Sequence, residues 1–397
     1  MLQHILIRIR RRPLEAVAVL LFTAVIALVL CGLHKGNESA QLEYEEIYKT
    51  IDVRCTITNL TGDQSDHLSI SATTYSLFTG RTEKMNDRFP DDLAKYVENV
   101  QLTGSTEFIW NGEEYTLTGI TSRGAKSALW PENGCTIQWN DGLDDAVFAG
   151  NRAVCIIPEA LAKKLENLEL STDAFPIDIA ARYDYQTPYS GELEIVGVYY
   201  SEDTTTIYCP WEAYAQINYS MGTYPSAESV SAVLRNNKEL EEFRALASQW
   251  FATPSPNAAG RDEVNGFYLA LDINDYQLTQ ADLTLRNSMR VNELVTLLVF
   301  IASAVAGFLV GFLMIRTRKR EITLMRTLGC SNGRIYVEFS LEQLVGIVLG
   351  VAFGGAYTNW QPMDKLALFA VVMFVGLSAA LIVFLNNNLL TTAKEED

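Results

Sequence analysis

LVTLLVFIASAVAGFLVGFLMI, Leu294 to Ile315, runs directly into RTRKREITLMRTLGCSNGR, Arg316 to Arg334. The first stretch is 22 residues without a charge. A helix rises 1.5 Å per residue and needs roughly 20 apolar residues to cross a bilayer core. The second stretch carries six basic residues, Arg316, Arg318, Lys319, Arg320, Arg326 and Arg334, against one acid, Glu321. An apolar span that ends in a patterned, helix-forming basic tract predicts a membrane helix with a structured loop on its exit side.

Three more segments read as spans. Leu366 to Leu385 is uncharged, Ala16 to Leu33 is uncharged, and Phe339 to Tyr357 holds a single charge, Glu342. Buried helices of soluble proteins rarely run so far without a charge. Transmembrane helices are therefore expected at 14–33, 293–315, 339–358 and 366–386. The first segment also has the basic start of a signal peptide (Arg8, Arg10, Arg11, Arg12). Its apolar run exceeds the usual h-region of roughly 7–15 residues, and no Ala-x-Ala site follows. Leu30 is too large to precede a lipoprotein cysteine at Cys31. A retained helix is expected.

Lysine and arginine orient the spans. Segment 1–13 and loop 316–338 are basic, whereas the short loop 359–365 offers only Asp364 and Lys365. By the positive-inside rule the N-terminus, the 316–338 loop and the tail 387–397 are cytoplasmic, and 34–292 lies outside. From Leu33 to Asn292 there are 19 Lys+Arg against 39 Asp+Glu, a net of −20, within a chain total of −17. So acidic a region has no general attraction for nucleic acid or anionic lipid headgroups; it suits solubility and admits a cationic ligand. Cys55, Cys135, Cys155 and Cys209 are outside, which allows one or two disulfides of unassigned pairing, or free buried thiols.

The outer region reads as a mixed α+β domain. Gln41 to Lys49 looks like a continuation of the first span. Strands are expected at Ile51–Ile57, Ala153–Ile157, Leu193–Tyr200, Val230–Leu234 and Tyr268–Ile273, with helices at Pro90–Val97, Glu159–Leu165 and Lys238–Phe251. Asn111-Gly112 between Phe108-Ile109-Trp110 and Tyr115–Thr118 signals a hairpin. Thr253–Gly260 reads as a loop, and a helical pattern from about Thr279 enters the second span without a breaker.

Catalytic motifs are missing from the sequence. There is no Gly-x4-Gly-Lys-Ser/Thr loop, no His-Glu-x-x-His and no Gly-x-Ser-x-Gly, and His4, His34 and His67 lack metal-ligand spacing. Acid pairs such as Asp91-Asp92 and Asp144-Asp145 read as solvated surface. No charge sits at mid-depth of a span, which argues against a channel or ion-coupled carrier. Glu342, near the start of the third span, reads either as a carboxylate in interfacial water or as an intramembrane partner of Arg334 or a neighbouring helix. Ser303, Gly307 and Gly311, and Gly346, Gly350 and Gly354, each recur every fourth residue. Such small-residue faces let helices approach closely in lipid. The simplest expectation pairs these two faces with each other or across a dimer.

Arg320-Glu321-Ile322-Thr323-Leu324-Met325-Arg326-Thr327-Leu328-Gly329-Cys330-Ser331 resembles the "REIGILRALGAS" tract of MacB/FtsX-type ABC transporter permeases. Arg334-Ile335 and Glu342 fall where that family has an Arg/Gln-Ile and a glutamate opening the third span. Thr323, Thr327, Cys330 and Asn332-Gly333 depart from its pattern. Gly150–Leu165 and Glu194–Tyr199 are similar to two softer patterns of its outer domain. The order of one span, a large domain and three spans agrees with the family over the whole chain.

The resemblance implies a non-catalytic permease subunit of the bacterial cell membrane, working as a homo- or heterodimer among membrane lipids. It carries no cofactor itself; ATP and Mg would be bound by a separate ABC ATPase. Loop 316–338 would hold a coupling helix, with Ile322, Met325 and Leu328 burying against the ATPase and Arg320, Glu321 and Arg326 at the rim. Gly329 and Arg334 complete that tract. The outer domain would divide into a porter-like lobe (40–103 and 228–290) and an inserted lobe (104–227). Motion would be passed to it for export of peptides, antibiotics or lipid-linked substrates. The alternative is an FtsEX-like permease that activates an exterior cell-wall hydrolase; a receptor or anchor outside the ABC class is disfavoured by the tract.

Overall fold

The computed structural model describes residues 13–80, 93–140, 142–171, 173–183, 186–357 and 362–386. The N-terminal arginines, the helix start expected at Pro90, the Asp91-Asp92 pair, residues 359–361 of the expected 359–365 loop and the tail from 387 lie outside the described residues. Two compact units are present: Met1–Ile47 with Gln280–Asp397, and Tyr48–Thr279.

The chain begins its described part with helix α1 (Pro13–Thr50), which runs through the charged segment Gln41–Lys49 without a break. The sheet unit follows. Its strands are β1 (Arg54–Thr58), β2 (Val97–Trp110), β3 (Glu113–Ile120), β4 (Thr136–Trp139), β5 (Val154–Pro158), β6 (Ala174–Ile179), β7 (Tyr189–Tyr200), β8 (Thr206–Pro210), β9 (Ser229–Leu234) and β10 (Ala270–Asn274). Between them lie helices α2 (Ala72–Thr79), α3 (Glu159–Asn167), α4 (Trp211–Ser220) and α5 (Leu240–Ala247). Four helices close the chain: α6 (Tyr276–Thr317), α7 (Lys319–Thr327), α8 (Asn332–Tyr357) and α9 (Met363–Asn386).

All ten strands join one sheet in the order β10-β1-β9-β2-β3-β8-β5-β7-β4, with β6 paired to β7. β3·β8 and β5·β7 are parallel, and the remaining pairings are antiparallel. The β2–β3 hairpin turns on Asn111 (φ 49°) and Gly112 (φ 79°). Two consecutive left-handed residues match the twist of the strands they join, which is why Asn-Gly serves there. β2 is long because it serves two partners. Val97–Thr103 pairs with β9, and Thr103–Trp110 pairs with β3, so both ladders meet at Thr103. Every residue of β5 is buried. Ile156 packs with Ile120, Val196, Tyr199 and Tyr208 in the core of that half.

Several expectations shift. β1 starts at Arg54, three residues after Ile51. The helix expected over 90–97 is a 3-10 turn at Leu93–Lys95 that gives way to β2. The helix over 238–251 stops at Ala247 after a 3-10 start at Asn237–Glu239. Cys55, Cys135, Cys155 and Cys209 are free and buried, so the open choice about disulfides resolves to thiols.

In the helical unit, α1, α6, α8 and α9 are long and apolar enough to cross a membrane. The glycine faces pack on other partners than expected. A Cβ built on Gly307 would lie 2.9 Å from the carbonyl oxygen of Met373, and one on Gly311 3.1 Å from Cβ of Ala380, so this face meets α9. Ser303, on the same face, is buried and donates to its own helix at Val299 O, 2.6 Å away. Gly346, Gly350 and Gly354 meet Val19, Thr23 and Ala27, so the second face meets α1. The two ladders thus make two separate close pairs, α6·α9 and α8·α1. Each glycine face opposes a helix whose own contact residues a repeat search does not flag.

Candidate functional site

The basic tract folds as a helix–turn–helix whose punctuation is legible residue by residue. α7 ends at Thr327, and Gly329 takes φ 86°, a left-handed value that glycine adopts without strain. The N–H of Gly329 donates to Arg326 O at 2.9 Å, and the N–H of Cys330 to Met325 O at 3.0 Å. These are the two bonds of a Schellman stop. Ser331 then opens α8, its Oγ accepting from the N–H of Arg334 at 3.4 Å. Gly-Cys-Ser is therefore a stop, a packed residue and a start.

This punctuation sorts the side chains of α7. Ile322 is fully buried among Ile315, Ile335, Phe339, Leu381 and Leu385, and Met325 and Cys330 pack on that cluster. The expected docking role of Ile322 and Met325 is thereby corrected: their partners are α6, α8 and α9 of the same chain. Leu328, six residues on from Ile322 and still bonded through its N–H to Leu324 O at 3.1 Å, points away from that face and is 83% exposed. Leu324, not singled out from the sequence, is 63% exposed one turn earlier. With exposed Arg320 and Thr323, Leu324 and Leu328 make an outward stripe at i, i+4 spacing. The missed signal was the i, i+4 pairing of Leu324 with Leu328.

The charged residues divide likewise. Arg326 turns inward, its Nη2 donating to Leu385 O at 2.9 Å near the end of α9, where a cation suits the helix dipole. Arg334 is exposed and pairs with Glu338 at 3.5 Å. Glu342 does not pair with Arg334 and does not sit in water. It is 7% exposed and takes a two-pronged bond from Arg318, with Nη1 2.7 Å and Nη2 2.8 Å from its carboxylate oxygens. Arg318 is itself 4% exposed and lies over the Phe339 ring at 5.5 Å. Arg318 was counted in the sequence only as a topogenic charge.

In the sheet unit, carboxylate and imidazole atoms of Asp66, His67 and Glu228 approach within 4.8 Å of one another. Lys126 Nζ already sits 2.8 Å from Asp66, and Ser105 donates to Glu228. The carboxylates are thus engaged by the protein, Glu228 by Ser105 on β2 and Asp66 by Lys126 in the segment after β3. Thiols offer no alternative chemistry. Burial pushes Cys55 up to about 12 and raises Cys155 and Cys209 as well, which keeps them protonated and inert.

No family model and no curated protein matches the chain. Among solved structures, the periplasmic region of MacB from Actinobacillus actinomycetemcomitans is similar at 12% sequence identity, over 59% of this chain and 94% of that one, with a TM-score of 0.31. A similarity this distant fixes neither the fold nor the activity of this chain.

Proposed function

We propose that this chain is the permease subunit of an ABC-type transporter, with α7 as the helix that a separate ATPase subunit grips. The observation that carries the reading is the sorting of α7: its inner face is filled by its own chain, while Arg320, Leu324 and Leu328 are presented outward beside a candidate span. Two large exposed leucines one turn apart on a polar surface are the ordinary means by which a short helix docks in a groove. The basic excess of 316–334 supports a cytoplasmic position, and the acidic excess of 33–292 supports an exterior one. The motor binds ATP and Mg, and this chain transmits its movement as a dimer.

We read strand β2 as the seam between a porter-like lobe, 40–103 with 228–290, and an inserted lobe, 104–227. The change of partner at Thr103 supports that division. Export of a peptide, antibiotic or lipid-linked substrate suits an exterior region of this size. A photo-crosslinker placed at Leu328 in cells tests the docking reading. Capture of a nucleotide-binding ATPase is the expected result. Crosslinks to lipid or to a second copy alone would overturn it.

A further inference from the structure

Arg318 is the single residue between α6 and α7, and its backbone belongs to neither helix. Its φ and ψ are −105° and 12°, outside the helical range. Yet its N–H still closes the last turn of α6 on Met314 O and Ile315 O, and its C=O accepts the first bond of α7 from Ile322 N at 3.1 Å. One residue thus ends one helix and starts the next. Backbone alone makes that a swivel, because only two torsions set the direction of α7 relative to α6. A force on α7 would be absorbed by turning there.

The side chain of the same residue removes that freedom. Its guanidinium fork meets the Glu342 carboxylate with two parallel bonds, which fix the plane of one group relative to the other. Phe339, one turn earlier on α8, lies beneath the fork. The surroundings are dry, so separating the pair would leave an uncompensated buried charge. At the far end of α7, Arg326 holds the carbonyl of Leu385 on α9. α7 is therefore held to α8 at its start and to α9 near its end.

We infer that Arg318 and Glu342 are positioning residues: their buried ion pair locks the swivel between α6 and α7 onto α8, so that force on α7 is delivered to α8. Through Gly350 and Thr23 that force continues into α1. The inference rests on the reading of α7 as the docking helix, but its test needs no ATPase. Hydrogen exchange is measured on the full chain in lipid nanodiscs, as wild type, Glu342→Gln and Glu342→Asp.

In Glu342→Gln the amides of Lys319–Thr327 exchange about tenfold faster, while α9 and β2 keep their protection. In Glu342→Asp, which keeps the charge, most of that protection returns. Wild-type exchange over 319–327 in Glu342→Gln would overturn the inference. So would equal exchange in the Asp and Gln variants, or an increase shared by α9 and β2. Loss of the Leu328 crosslink with these exchange results intact would remove the docking reading and leave the lock standing.

Discussion

Gly350→Ala is the sharpest test of how the helical unit is assembled. A Cβ at Gly350 would lie 2.8 Å from Cβ of Thr23 and 2.9 Å from the carbonyl oxygen of Leu20, with the Thr23 hydroxyl closer still. Carbon atoms in good contact sit about 3.5–4.0 Å apart, so α1 must retreat by roughly 0.7 Å or more. Two of the obstacles are backbone or Cβ atoms, which no rotamer change can move. Overpacking of this kind costs about 1–3 kcal/mol, and the rigidity of the obstacles puts Gly350 at the upper end. The exchange of Gly for Ala returns about 1 kcal/mol of helix propensity. The expected net loss is about 2 kcal/mol, or roughly 4–8 °C in melting temperature for a domain of this size.

Gly346→Ala is the internal control. Its Cβ would meet Cγ1 of Val19 at 3.2 Å, the end of a side chain, and Cβ of Val19 at an ordinary 3.7 Å, so propensity and crowding nearly cancel. Thermal unfolding of both variants in nanodiscs checks the ordering. A second check is Thr23→Gly in the Gly350→Ala background. It removes the Thr23 part of the obstruction, leaving Leu20 O in place, and should recover at least about 1 kcal/mol beyond additivity. Equal melting of the two alanine variants, or strict additivity with Thr23→Gly, would refute the α1·α8 contact.

Other outcomes follow from the same structure. Leu324→Ser should leave the stability within about 0.5 kcal/mol of wild type and weaken the expected crosslink from position 328 to an ATPase. Ile322→Ala should instead cost about 2–5 kcal/mol, because Ile322 fills the chain's own core. At pH 8 a thiol pushed up to about 12 by burial is thiolate in about one molecule in ten thousand, so Cys55 should resist iodoacetamide until the sheet unit unfolds. Because the folded value is raised, the stability linked to Cys55 is complete below about pH 8.5 and falls as the pH climbs toward 12. A steepened loss of stability above pH 8.5 that disappears in Cys55→Ala checks this. Burial pushes the Asp66 carboxyl up, but the Lys126 ammonium and the N–H of His67 outweigh it and hold it below the ordinary value. The stability difference between wild type and Lys126→Ala should be present above about pH 4 and vanish on further acidification.

What could be read from the sequence was local or one-dimensional. The apolar runs gave four helices long and apolar enough to cross a membrane, because such runs with at most one charge leave few other options. Asn111-Gly112 gave its hairpin, because two left-handed residues in a row admit few side chains. β5, β7 and β9 were legible as short apolar or alternating runs. β4, β6 and β8 were not, because each is four to six residues long and owes its place to β7, β5 or β3. α4 reads ambiguously, since Trp211, Tyr214 and Ile217 suit a strand as well as a helix. At the candidate site the sequence marked a tract but not its inside and outside. Ile322 and Leu328 are both apolar, and only the packing of α7 shows which of them faces the chain's own core. Arg318 and Glu342 are 24 residues apart, and no spacing rule joins them.

β1 bears on how the molecule is made. It pairs with β9 at Cys55–Ala232 and with β10 at Cys55–Ile273, so both its neighbours are synthesised long after it. At the usual 5–20 residues per second, β1 waits on the order of ten to thirty seconds with both edges unpaired. The strand is short and carries Arg54, features that blunt a bare edge against pairing with other chains. β10 in turn lies immediately before α6, so the sheet acquires its last strand as that helix is being made. A chain cut anywhere between β1 and β9 would leave an open strand joined to a long apolar helix, a form that quality-control proteases are suited to remove.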